Sequence, residues 1–460
     1  MSTADAGAQD APASPSTAIL FAAVVPPLFI GMIDQTIVAT ALPDIAQDLG
    51  GIEVIGLMVT AYLAAVAISA PVYGRLGDAL GRRKLMSVAI VVTMLGSFLC
   101  MIASNLPALI AARALQGLGG GGLIGLAQAL LGQYVGLRRR ARYQGYLAAI
   151  AIVASTFGPV VGGFVTGHLG WRWIFALNLP LTLIALLLVQ RLPPRRTPRH
   201  PLVFDWPGLV LFAALTILII AGFESLRAEG STPILLSGAA LTLGMLVWRE
   251  RRATHPLFPG DLLANRSISL SALLAMCHGA LYVALLTFIP IYFALVRGRS
   301  ADEIGLLMLP ITVGIGTGAF VTGRLMSRSG RTTLYPTVGL ISASVLLLIL
   351  ARYLSVLPDL GVSLVFMLIS VSLGTIMGVV QITIQSEAGV PRLGIATSTV
   401  SLARSFGAVA GTALAGVTVG VQLVENTAAP DAVFATIFAG GGVFALLAAV
   451  VAASIPRRHI

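Results

Sequence analysis

Two residues of the 460-residue chain stand where charge is hard to keep: Asp34 inside the apolar run 17–42, and Arg113 inside the run 106–131. Asp34 is the one acid deep within such a run. It precedes Leu42, the end of its run, by eight residues, which at 1.5 Å per residue is about 12 Å. A carboxylate at that depth in hydrocarbon costs several kcal/mol and faces a cavity or a partner. Desolvation favours its neutral form, so the group could take up and release a proton. The plainer alternative is a carboxylate that only pairs with a basic residue. Arg113 follows Leu106 by seven residues, about 10 Å, so the two charges could share one layer. An arginine cannot shed its proton and must find acceptors or water. Beside Asp34 it would favour the charged carboxylate and oppose desolvation; alone it would only anchor its helix. Gln116 and Gln128, three and fifteen residues further on, are candidates for the same face, as cavity lining or as helix–helix hydrogen bonds.

The elements that position these groups follow from composition. The chain is 57% hydrophobic and 10% charged, against about 25% charged in soluble domains. Apolar runs fall at 17–42, 54–73, 85–104, 106–131, 142–167, 172–190, 206–223, 233–248, 267–296, 304–323, 333–352, 360–386, 394–420 and 433–456. Runs near twenty residues suit helices crossing ~30 Å of hydrocarbon, and the alternating pattern of a membrane barrel is absent. The sequence therefore predicts an all-α integral membrane protein with fourteen transmembrane helices. Residues 1–16 read as a disordered tail, with no signal peptide before the first span because a basic leader is missing. Cys100 and Cys277 lie within apolar runs and read as packing residues.

The net charge is +11. Of the Lys and Arg residues, 22 lie in the loops after even-numbered spans or in the C-terminal tail, and five in the loops after odd-numbered spans. Such a bias sets orientation rather than nucleic-acid binding, and it places both termini in the cytoplasm. One cytoplasmic loop, GRLGDALGRRK (74–84), is echoed by GRLMSRSGRTT (323–333). A loop repeated after span 2 and span 10 points to duplicated halves, a plan common among secondary transporters. The domains then read as an N-terminal six-helix bundle (17–190), two inserted helices with basic linkers (191–266), a C-terminal six-helix bundle (267–456) and a short tail (457–460).

The motifs add a resemblance. GMIDQTIVATALP (31–43), GRLGDALGRRK, LIAARALQGLGGGG (109–122), FGPVVGGFVTGHLGWRWIFALNLP (157–180) and PRLGIATSTVSLARSFGAVAGTALA (391–415) resemble the major facilitator superfamily, in its fourteen-helix drug/proton antiporter branch. The resemblance implies two pseudo-symmetric six-helix bundles plus two inserted helices. It implies a part for Arg113 in proton coupling. It makes Gly74, Arg75, Asp78, Gly81 and Arg82 a cytoplasmic gate, with Asp78 meeting the start of a helix near Gly394, where the helix dipole would stabilise it. It makes Gly158, Pro159, Gly162 and Gly163 an antiporter motif sealing the outer gate, with Gly314, Gly316 and Gly318 as a plausible counterpart; without it these glycines are packing residues. Two departures stand out. Ser327 replaces the acid in the second loop copy, and 304–323 carries no acid, which speaks against dedicated export of dications.

Other candidates are less specific. GLGGGG (117–122) formally fits a dinucleotide fingerprint but lacks a strand–turn–helix setting, so it reads as close helix packing. His278 titrates in a range that suits a proton carrier, although lone helix histidines more often only pack. Arg404 lies near the middle of its span, and Glu387 at the cytoplasmic end of another. Phe157, His278, Tyr282, Gln381 and Gln385 are further candidates for cavity lining.

The expected function is proton-coupled export of amphiphilic or lipophilic organic compounds by alternating access. The expected partners are a small organic substrate, protons and the bilayer, with the chain acting as a monomer in the cytoplasmic membrane. No cofactor, metal or nucleic acid is expected, and no metal cluster or Ser–His pair within the spans points to an enzyme. One alternative is an exporter of an endogenous lipid, antibiotic or metabolite on the same scaffold. A non-transporting membrane sensor or scaffold is another, and it would not need Asp34.

Overall fold

A computed structural model describes residues 17–50, 55–134, 137–193, 205–225, 232–254, 256, 264–329, 332–424 and 429–456. The tails 1–16 and 457–460 lie outside the described residues. The described backbone is helical, because a chain in hydrocarbon must satisfy its own N–H and C=O groups. In chain order the helices are α1 (Thr17–Ile37), α2 (Leu42–Leu49), α3 (Gly56–Leu80), α4 (Arg82–Ile102), α5 (Leu106–Tyr134), α6 (Leu137–Leu169), α7 (Arg172–Ala176) and α8 (Asn178–Gln190). Then come α9 (Trp206–Glu224), α10 (Thr232–Arg252), α11 (Arg266–Leu295), α12 (Ala301–Leu307), α13 (Leu309–Ser329), α14 (Leu334–Tyr353), α15 (Asp359–Val424) and α16 (Pro430–Ser454). They cover all fourteen apolar runs. Among the described residues, 11 helical stretches are long and apolar enough to cross a membrane.

Several spans depart from simple rods. The first breaks after α1 into a 3₁₀ turn, Ala39–Ala41, and then α2. Pro43 has no N–H to return to the Ala39 carbonyl, so the α-helical ladder cannot run through. The Thr36 and Thr40 hydroxyls donate to the Ile33 and Ile37 carbonyls, 3.1 Å each. The sixth span is likewise divided, into α7 and α8. By contrast, α15 is helical without a break over 66 residues, about 99 Å if straight, and it supplies two spans, Asp359–Ile384 and Thr399–Val419.

Close packing within the N-terminal bundle depends on bare backbone. The 117–122 run wedges α5 between α3 and α4. A Cβ at Gly117 would lie 2.4 Å from the Tyr62 carbonyl oxygen, and one at Gly119 2.4 Å from the Thr93 nitrogen. The small-residue reading of this run is the one its contacts support. In the C-terminal bundle Gly407 and Gly411 press on the Met276 and Ala280 backbone of α11, so α11 and α15 cross in contact.

The inserted pair α9–α10 has its own clamp. Asp205 caps α9, accepting from the Gly208 N–H at 3.1 Å, and the same oxygen accepts from Arg249 Nε of α10 at 3.0 Å. Phe212 and Leu215 of α9 pack with Ala67 of α3 and Leu402 of α15, so the pair touches both halves. Replacing Asp205 with alanine removes cap and ion pair together. It is expected to lower thermal stability in detergent by about 1–2 kcal/mol, whereas Asp205→Asn, which keeps a cap, loses less. Equal melting of both variants and the parent would contradict this clamp.

Candidate functional site

The break that ends α1 three residues after Asp34 leaves that side chain facing α5 and α8. Asp34 is 1% exposed. Its Oδ2 accepts from Arg113 at 2.8 Å. Its Oδ1 accepts from the side-chain amides of Gln116 and Asn178, both at 2.9 Å. Gln116 also donates to Ser97 of α4 at 2.9 Å and accepts from Arg113 through its own carbonyl oxygen. The Arg113 guanidinium lies over the Tyr62 ring of α3, 4.1 Å from its centre. Five helices thus hold one carboxylate in a closed net of charge-assisted hydrogen bonds, which is how a low-dielectric interior retains an ion pair. Gly96 makes the net possible, since a Cβ there would sit 2.5 Å from Gln116 Cα.

Arg113 forms the boundary between this net and a cavity of about 160 Å³ between the halves. Thr36 and Gln35 of α1, Tyr62 of α3, Tyr282 and Thr287 of α11 and Arg404 of α15 contribute its polar lining; valines, leucines, Met32 and Ile124 complete its walls. Asp34 is not on the wall. It stands behind Arg113.

Several sequence expectations for the lining need correction. Of the seven expected lining residues, Tyr282 reaches the cavity. Gln116 is fully buried in the Asp34 net. Gln128 is exposed, being twelve residues and about 18 Å further along α5 than Gln116. Phe157 is 55% exposed. His278 is 3% exposed and stacks on Tyr282, one turn away, at 5.7 Å between ring centres, without reaching the lining. Gln381 is half-buried and outside the lining, and the side chain of Gln385 lies outside the described residues. Sequence reasoning passed over Asn178, Ser97, Tyr62 and Gln35. An asparagine within an apolar run was the available signal for Asn178; a tyrosine, serine or glutamine in a helix of this kind offers none as specific.

The glycine motif of α6 divides its work. Gly158 and Gly162 press on α1 within the same half, at Thr36 and the Ile37 carbonyl. Gly163 alone of the four meets the other half directly through a missing side chain, where a Cβ would lie 2.3 Å from the Ala301 carbonyl and 3.0 Å from Gly305 Cα. The Pro159 carbonyl also approaches Gly305. The counterpart is therefore Ala301 and Gly305 of α12. The expected Gly314 and Gly318 pack inside their own half, on Met367 and Val371 of α15, and Gly316 is half-buried. This contact lies at the end that the charge bias assigns to the outside. Gly163→Val is expected to hold that end apart and raise labelling from outside of a cysteine placed at Leu286, on the cavity wall. Gly167→Ala, whose Cβ meets only Asp302 atoms at 3.5 Å or more, is expected to leave labelling unchanged. Equal labelling of the two variants would refute the contact as a seal.

At the opposite end, Gly81 takes φ 101°, a left-handed conformation that glycine accommodates, and it divides α3 from α4. Arg82 donates to the Ala129 carbonyl of α5 at 2.8 Å, while Gly74 and Arg75 are exposed. The Asp78 side chain lies outside the described residues. The helix start expected near Gly394 is corrected: α15 passes through that position without a break, so no free N-terminal N–H groups are presented there.

Residues 28–412 match the Major Facilitator Superfamily. The chain belongs to this superfamily. Similar major facilitator proteins include an uncharacterized MFS-type transporter of Mycobacterium tuberculosis, 35% identical over 86% of this chain and 59% of its own length. The chain thus spans about three fifths of the first such relatives. The multidrug transporter protein MdtP of Bacillus subtilis is 30% identical over 86% of this chain and 74% of its own. Among solved structures, the POT family transporter PepTSo superposes with a TM-score of 0.70 at 16% identity, covering 95% of this chain and 97% of that one. That likeness concerns the fold alone: the major facilitator arrangement of two six-helix bundles, here carrying two further helices. The protein is a multi-pass membrane protein of this superfamily.

Proposed function

We propose that the protein is a proton-coupled antiporter that exports amphiphilic or lipophilic organic compounds by alternating access. The observation that carries this reading is the Asp34–Arg113 pair, buried directly behind the wall of a cavity that both halves line. Asp34 is the exchangeable proton site. When it is protonated, its attraction for Arg113 falls and the guanidinium is released towards the cavity, so proton binding and the cavity's charge are linked through one residue. The Gly163 contact with α12 is the outer seal, and the basic loops, Asp78 among them, belong to the cytoplasmic gate. The relative named a multidrug transporter supports export of organic compounds. In this reading the two bundles rock as units about the cavity, both termini are cytoplasmic, the chain works as a monomer in the cytoplasmic membrane, and the paired α9–α10 helices are an insertion between the bundles.

The test is transport in proteoliposomes carrying a pH dye and a panel of fluorescent amphiphiles. An imposed proton gradient is expected to drive the amphiphile against the proton flow, and an uncoupler to abolish that movement. Movement indifferent to the uncoupler would reject proton drive. No movement of any compound would favour a sensor or scaffold.

A further inference from the structure

The cavity contains two arginines and, among the described residues, no acid on its wall. Arg113 is already compensated by Asp34 at 2.8 Å. Arg404 has no ion pair and no hydrogen bond among the described residues, although it is only partly exposed and lies on the lining. A guanidinium keeps its charge in any environment and carries five donors. Facing a largely apolar space with no protein acceptor among the described residues, it is free to engage a ligand, and the group that matches it best is a planar or tetrahedral oxyanion that two N–H groups can grip.

The surroundings of Arg404 favour the same chemistry. Tyr282, one of its neighbours, is on the lining and can donate a hydroxyl hydrogen bond. His278, stacked behind Tyr282, has neither ring nitrogen in a hydrogen bond. Thr287, Thr36 and Gln35 add neutral polar groups to the wall. No acid among the described residues stands on that wall to hold a cation, and Arg404 would repel one. The remaining wall, with Met32, Val59, Leu63 and Leu286, suits a hydrocarbon or aromatic body.

We infer that the cavity takes amphiphiles bearing one acidic group, a carboxylate, sulfonate or phosphate, with the oxyanion on Arg404 and the apolar body against the α1–α3 and α11 walls. The inference rests on the proposed reading of this cavity as the substrate site. It places the substrate's charge on the C-terminal half, opposite the half that contains Asp34. It also agrees with the lack of an acid in 304–323.

The experiment uses the full chain in detergent micelles and three matched probes: a dansyl-labelled long-chain carboxylic acid, its neutral amide, and its quaternary ammonium analogue. Binding is read by dansyl fluorescence, and size-exclusion profile and melting temperature verify that each variant is folded. The acid is expected to bind at least about tenfold more tightly than the ammonium compound. Arg404→Gln is expected to weaken the acid about tenfold or more and to leave the amide unchanged, whereas Arg404→Lys, which keeps the charge, retains a preference for the acid. Binding that ignores the probe's charge, prefers the ammonium compound, or survives Arg404→Gln intact would overturn the acidic-substrate assignment while leaving the cavity as an amphiphile site. Failure of all three probes to bind the folded parent would overturn the cavity as the substrate site, and the inference with it.

Discussion

Replacing Arg113 with alanine is expected to lower the stability of the folded protein by about 3–5 kcal/mol, the usual effect of removing one partner of a buried ion pair. The argument rests on what is stranded. Both side chains of the pair are 2% exposed, so a buried carboxylate loses its charged partner. Asp34 Oδ2 loses its donor, and the Gln116 carbonyl oxygen loses the same donor. The Tyr62 ring loses the cation that lies 4.1 Å from its centre. Gln116 and Asn178 still donate to Asp34 Oδ1, but neutral amides do not neutralise a carboxylate. The double variant Asp34→Asn/Arg113→Ala removes the uncompensated charge as well, so it is expected to be more stable than Arg113→Ala alone. Thermal or denaturant unfolding of the purified variants measures both steps of this cycle. A single Arg113→Ala variant as stable as the parent would mean that the pair is not closed in the membrane.

The same pair illustrates how far the sequence could be read. Counting residues from the ends of two apolar runs gives Asp34 and Arg113 similar depths, and in the fold they are bonded. Depth follows from rise per residue, which is fixed for any helix. Which helices are neighbours, and what lies behind a face, does not. His278 and Tyr282 are one turn apart and share a face of α11, yet the tyrosine reaches the cavity and the histidine is buried behind it. Gly314 and Gly318 are small residues of the kind expected at an interface between halves, but they pack on α15 of their own half, while the close contact with the other half is made by Gly163 with Ala301 and Gly305. Small residues announce close approach without naming the partner. The unbroken backbone through Gly394 was also hidden, because a drop in hydropathy marks the end of a span and not the end of a helix. Asn178 went unweighed because its role depends on the division of one span into α7 and α8, which brings an amide to a carboxylate 144 residues away.

Asp34→Asn separates binding from energy conversion more cleanly than any other single change, and its expected effect on function is the largest. The substitution keeps the shape and leaves one oxygen to accept hydrogen bonds, so the α1–α5–α8 net loses charge without losing its volume. It gives up the capacity to exchange a proton. Arg113, no longer held by a carboxylate, remains on the cavity wall as it would beside a protonated Asp34. The variant should therefore resemble the protonated carrier permanently. Affinity for an uncharged amphiphile is expected to stay within about threefold, ~0.6 kcal/mol, because Asp34 itself does not line the cavity and a change in the cavity's charge acts mainly on charged compounds. Exchange of labelled for unlabelled compound across the membrane, which needs the halves to rock but needs no proton, is expected to persist. Uphill movement driven by a proton gradient is expected to fall to the level of liposomes without protein. Measuring exchange and gradient-driven accumulation on one preparation tells the outcomes apart. If both survive, the proton is carried elsewhere; if both vanish while the amphiphile still binds, Asp34 is needed for the rocking motion itself and the net around it is mechanical.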